Sequence, residues 1–180
     1  MRLRSLGIVL VVGLSVSACS SVDSTTLTTQ APEPAGTLPS PISRQICSQE
    51  ARTELASALG ETAHVSTPTW SDHLYSCTYS YPTSTPSGAY TVSVKELSSW
   101  QQTYAYFDSL AAAQGKSRNL EALGQAAFQT TNGSVVVRKD WKVLVVDNSG
   151  LPAQFGVPPT SSGAVAVTVA DVILGCWAGD

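Results

Sequence analysis

The chain has very little of what most reaction chemistries require. Only two histidines, His64 and His73, occur among 180 residues, and charged residues make up 13%. Two histidines are too few for most metal centres, which need three or four ligands at suitable spacing. The stretch "WSDHLYS" sets Ser71, Asp72 and His73 side by side, but a triad is built from side chains that converge from separate chain positions. Glu50 and Glu54 stand four apart on one predicted helix face, where a solvated surface explains them better than acid–base work. No glycine-rich phosphate loop is present, and the longest basic cluster is the pair Arg138-Lys139. Binding to nucleic acid rests on neutralised phosphates, so no nucleic-acid partner is expected. No cofactor and no metal site is expected either, and the chain is not expected to be an enzyme. Long apolar runs are missing too: the one at Leu6–Val16 is too short for a bilayer core that takes about 20 residues to cross.

That short run is informative for another reason. Arg2 and Arg4 precede it and the small residues Ser17 and Ala18 follow, the layout of a cleaved export signal. Val16-Ser17-Ala18-Cys19 resembles the lipobox of bacterial lipoproteins. The resemblance implies cleavage before Cys19 and a diacylglycerol on its sulfur, and a thiolate is the nucleophile such alkylation needs. One acyl chain binds a bilayer marginally, whereas two or more anchor stably. The expected address is therefore the extracytoplasmic face of the cell membrane, held by lipid on Cys19.

Three regions follow from composition: residues 1–18 as signal peptide, 19–41 as lipidated cysteine and tether, and 42–180 as one globular domain. The tether is rich in Ser, Thr, Pro and Ala, with Asp23 and Glu33 its only charges. Such a segment buries too little apolar surface to offset its ordering entropy and reads as disordered. Arg2 and Arg4 lie in the signal, which leaves eight of the ten Lys and Arg against thirteen Asp and Glu. The remainder is long enough for a single core without oligomerisation, and a monomer is expected.

Within the domain, periodicity predicts a helix over "CSQEARTELASALG" (47–60), capped by Ser48 and closed by Gly60. "HLYSCTYSY" (73–81) alternates small or aliphatic residues with Tyr75, Cys77, Tyr79 and Tyr81, a strand with one aromatic face. "AYTVSVKEL" (89–97) predicts a second strand. "SSWQQTYAYFDSLAAAQG" (98–115) spaces Trp100, Tyr104, Phe107, Leu110 and Ala111 as a helix does. "QAAFQTT", "SVVVRK" and "WKVLVVD" predict a meander, with Asn132-Gly133 as its first turn. "SGAVAVTVADVILGCW" fits strand or helix, and its length and alanines favour helix. The expected class is α+β, an antiparallel sheet of about five or six strands flanked by helices.

Cys47 opening a helix that ends "ALG", the strand "CTY" at 77–79, and "LEALGQAAF" at 120–128 together resemble the small actinobacterial cell-wall lipoproteins of unknown function. At the last of these the family has a "GLGDAA"-like form. Ala122 and Gln125 here replace its glycine and acid, so no role of that acid transfers. The resemblance implies a PsbP-like sandwich and brings little activity with it.

Three cysteines remain past Cys19, in a compartment that favours disulfides. The expected bond is Cys47–Cys77, leaving Cys176 as a buried thiol; Cys77–Cys176 and Cys47–Cys176 are the other pairings. The aromatics, mostly core, leave room for a Trp- and Tyr-lined groove between helix and sheet, rimmed by loops 82–88 and 149–160. The expected function is a non-enzymatic, membrane-anchored envelope lipoprotein whose domain meets an envelope protein or an apolar or glycan ligand. A small lipid- or metabolite-carrying module is the alternative.

Overall fold

The structure, a computed structural model, describes residues 32–177. The signal-peptide assignment, the lipidation of Cys19 and the first part of the tether lie outside the described residues. The elements in chain order are α1 (Pro41–Gln45), α2 (Gln49–Leu59), β1 (His64–Val65), β2 (Thr69–Ser71), β3 (Leu74–Tyr81) and β4 (Gly88–Glu96). After them come α3 (Trp100–Gln114), β5 (Lys116–Leu120), β6 (Ala126–Thr130), β7 (Val135–Lys139) and β8 (Lys142–Asp147). The chain closes with β9 (Gln154–Phe155), β10 (Thr160–Ser161) and α4 (Ser162–Cys176).

The fold is α+β. An eight-stranded antiparallel sheet runs β1-β3-β4-β8-β7-β6-β5, and β2 joins the β3 edge beside β1. The expected count was lower because β1 and β2 are too short to show periodicity. The third addition, β5, reads Lys-Ser-Arg-Asn-Leu and is almost wholly exposed. A polar edge strand carries no apolar alternation, and its charges discourage pairing with other chains.

Both sheet faces are covered. The first carries Cys77, Tyr79, Tyr81, Tyr90, Val92 and Val94, packed under Leu55 and Leu59 of α2 and Val165, Val169 and Ile173 of α4. On the second, Phe107, Leu110 and Ala111 of α3 lie on Phe128, Val136 and Val143. Serine begins each long helix: Ser48, Ser99 and Ser161 accept from the N–H groups of Ala51, Gln102 and Ala164, satisfying donors the helix itself leaves open. Helix α2 stops at Gly60, with φ +66°. A side chain there would also press on the Val157 carbonyl at 2.7 Å, so glycine is required twice over.

The ambiguous C-terminal stretch is helical. Val165, Ala166, Val169, Ala170 and Ile173 form its buried stripe, the spacing of one helix face.

The domain begins earlier than residue 42. The Ala35 N–H donates to the Leu97 carbonyl (3.1 Å), and the Thr37 carbonyl accepts from Trp70 Nε1 (3.0 Å). The Ser40 N–H donates to Glu96 Oε1 at 2.8 Å. Composition suggested a tether through residue 41. The last part of it is instead a strap that the domain's own side chains hold, because each of these groups finds a fixed partner.

Candidate functional site

Cys47 and Cys77 are joined by a disulfide with a Cα–Cα separation of 6.1 Å, tying the entry of α2 to β3. Next to it the Tyr79 hydroxyl donates to the Ile46 carbonyl at 2.6 Å, and burial pushes its phenol pKa up. Cys176 sits on the last turn of α4 and is half-buried rather than enclosed, because the helix presents it beside, not within, its apolar stripe.

The letters Ser71-Asp72-His73 form no triad. Asp72 and His73 take φ +50° and +55° at the centre of the β2–β3 hairpin, a geometry that Asp tolerates better than most residues. The Asp72 carboxylate pairs with Lys95 Nζ at 2.7 Å, and that hydrogen bond lowers its pKa. His73 Nδ1 meets the Gly36 carbonyl at 3.0 Å, which fastens the strap. His64 is exposed on β1. Glu50 accepts from Gln45 Nε2 at 2.6 Å on the surface. The structure does not bring His64, Glu50 and the Asp72–His73 turn together into one site.

Beside the loops 82–88 and 149–160, the expected rims of a Trp- and Tyr-lined groove, the tyrosines are packed into the core. Tyr79, Tyr81 and Tyr90 are buried; Tyr79 stacks on Tyr90 with centroids 5.2 Å apart, and Phe155 from the 149–160 loop stands edge-on to Tyr81 at 4.7 Å. Loops that were expected to rim a cleft instead seal the core.

An open site lies at the other end of β4. Along the first face the sequence Tyr90, Val92, Val94 is continued in phase by Glu96, and Leu144 and Val146 of β8 are preceded in phase by Lys142. Register places Glu96 and Lys142 directly opposite each other. Both are buried, at 4% and 8% exposure. They line a cavity of about 540 Å³ together with the strap residues Glu33 and Leu38, Trp100 at the start of α3, and Gln125 and Asp140.

The polar groups of this cavity differ in how they are satisfied. Glu96 Oε1 accepts from the Ser40 N–H and from the Ser43 hydroxyl, so the carboxylate clamps the strap. Gln125 and Asp140 pair reciprocally. The Gln125 amide donates to Asp140 Oδ1 at 3.3 Å, and its carbonyl accepts the Asp140 N–H at 3.0 Å. A carboxylate at position 125 would offer Asp140 no donor, which gives Gln125 a local reason to be there. Lys139, the hairpin neighbour of Lys142, is drawn away to the Trp177 carbonyl at 2.7 Å. Lys142 alone has no hydrogen bond or ion pair among the described residues. Lys142 is one of the residues that line the cavity.

Aromatic surface continues outward from the cavity. Trp100 is 36% exposed and Tyr104 48%, stacked with centroids 5.9 Å apart. The Arg138 guanidinium lies 4.3 Å from the centre of the Tyr104 ring, a cation–π contact that holds the ring in place. The helical spacing of Trp100 and Tyr104 suggested core. Their positions one and two turns ahead of Phe107 instead carry them past the edge of the sheet.

Sequence reasoning missed Glu96 and Lys142, although a signal was present. Each is a charged residue in the phase of a buried apolar face, at a strand end where solvent or ligand can enter. Among the described residues no group of three or more His, Cys, Asp or Glu is placed to hold a metal, and no helix is long and apolar enough to cross a membrane. Comparison with protein-family models, curated proteins and solved structures finds no match to the chain.

Proposed function

We propose that the chain is an extracytoplasmic lipoprotein, anchored through an acylated Cys19, whose single domain binds a small ligand without transforming it. The likeness to actinobacterial cell-wall lipoproteins belongs to the same proposal. One observation carries the ligand-binding part: Lys142, a largely buried residue with no hydrogen bond or ion pair among the described residues, lines a roomy cavity. Taking such a charge out of water is costly unless something else satisfies it. A ligand that brings an acceptor to this point recovers that cost as affinity. The non-enzymatic part is supported by the engagement of two cavity carboxylates, Glu96 with the strap and Asp140 with Gln125.

Anchor and cavity belong to one arrangement. Pro32 lines the cavity, and the chain from Cys19 to Pro32 spans at most about 45 Å fully extended. The ligand would therefore be held close to the outer leaflet. A lipid-carrying role is less well supported, because Glu96, Gln125, Asp140 and Lys142 all line the cavity, whereas an acyl chain needs an apolar lining.

Two measurements test this reading. Cys19→Ala is expected to abolish membrane fractionation of the mature protein; a variant that stays with membranes as mature protein contradicts the anchor. Mass spectrometry of the native protein, purified in mild detergent, is expected to find a small molecule that Lys142→Met lacks. Identical contents in both proteins contradict the site.

A further inference from the structure

We infer that the cavity at the Glu96 end of β4 takes a segment of neutral oligosaccharide, with one sugar over Trp100 and the next units along Tyr104. This rests on the ligand-binding reading above and names the ligand class for the same site.

The charges and surfaces present narrow the ligand class. Lys142 offers a donor and a positive charge to whatever enters the cavity, which a purely apolar ligand leaves unused and a simple cation meets as a like charge. The carboxylates of Glu96 and Asp140 line the same space, so a polyanion would meet two like charges for one ammonium. The fitting ligand is uncharged and offers acceptors and donors together. Hydroxyl groups do both: one sugar hydroxyl accepts from Lys142 while its neighbours donate to carboxylate oxygens.

The apolar part of the site selects further among hydroxylated molecules. Trp100 at the cavity mouth presents a flat, partly exposed ring, and sugar rings have an apolar C–H face that packs on such a surface. Tyr104 extends the aromatic surface by one helical turn, and Arg138 fixes it from below. An extended platform beyond the cavity serves a chain rather than a single sugar. A rigid aromatic ring also loses little conformational entropy when it is covered.

The test is isothermal titration of the full chain in mild detergent with maltopentaose, chitopentaose and xylopentaose, alongside the matching disaccharides, inorganic phosphate and palmitate. At least one pentasaccharide is expected to bind saturably and more tightly than its disaccharide. Lys142→Met and Trp100→Ala are each expected to weaken it tenfold or more without lowering the melting temperature. Tyr104→Ala is expected to weaken the pentasaccharide and leave the disaccharide unchanged, which a merely structural role for Tyr104 would not do.

No binding by any oligosaccharide overturns the inference, as does binding of phosphate or palmitate that Lys142→Met abolishes. In that last case the ligand-binding reading survives with a different ligand. Binding that Lys142→Met and Trp100→Ala leave intact overturns the assignment of the site. Cleavage of a bound oligosaccharide supports the ligand class and contradicts only the non-enzymatic reading.

Discussion

The two ends of strand β4 solve the same problem in opposite ways. At the Gly88 end three tyrosines and a phenylalanine fill the space between sheet and loops, and each tyrosine hydroxyl finds a partner: Tyr79 on the Ile46 carbonyl, Tyr81 and Tyr90 on each other at 3.2 Å. At the Glu96 end the apolar register gives way to a carboxylate and an ammonium, rings stand exposed, and a cavity remains. Closing a core costs nothing in function where no ligand is needed. Here the largely buried Lys142 has no partner among the described residues, which leaves its donor to whatever enters the cavity.

The contrast can be sharpened by attacking the closed end first. Replacing both Cys47 and Cys77 by alanine removes the link across a separation of 30 residues, and chain entropy puts the loss at about 3.5–4 kcal/mol. Urea unfolding measures it directly, and binding at the far cavity is expected to persist wherever the protein stays folded. A loss below about 1 kcal/mol would show that the disulfide is incidental to the closed end.

A smaller effect is expected at the open end. Glu96→Ala leaves the Ser40 N–H and the Ser43 hydroxyl without their acceptor, and bonds to a charged group are worth about 1.5–3 kcal/mol each. Because the two share one oxygen, the combined cost is expected near 3 kcal/mol, with the strap at 35–41 becoming the first site of limited proteolysis. Unchanged proteolysis would mean that Glu96 does not hold the strap.

Smaller again, and of opposite sign, is Ala122→Gly in the turn between β5 and β6. Ala122 takes φ +61°, a conformation that costs a non-glycine residue about 1–2 kcal/mol. The extra freedom of glycine in the unfolded chain returns part of that. A net stabilisation of about 0.5–1 kcal/mol is expected in the same urea assay, and a destabilised variant would contradict the strain.

What could be read from the sequence, and what could not, divides along the same two ends. Helix α2 was legible because Ser48, Glu50 and Gly60 mark its ends and Leu55 and Leu59 its buried face. Strands β3 and β4 were legible because their buried sides alternate with Ser and Thr. All of these are local periodicities. The strap was misread because Ala35, Gly36, Thr37 and Ser40 are bonded through backbone groups, which leave no trace in composition. The cavity was hidden because Lys142 and Glu96 come from distant strands, and only their register makes them neighbours. The loops 82–88 and 149–160 were expected as rims of a Trp- and Tyr-lined groove because a ring count does not reveal which rings have a partner to pack on. Tyr79 does; Tyr104 has Trp100 and Arg138 and otherwise faces solvent.

The most direct measurement is the unfolding free energy of Lys142→Met against wild type, both free of ligand. Methionine keeps the length and apolar packing of the lysine stem and removes only the ammonium. If that ammonium waits for a ligand, its removal is expected to stabilise the empty domain by about 1–2 kcal/mol. A variant less stable than wild type by a similar amount would show that the protein itself satisfies Lys142, and the site would lose its reason to bind anything.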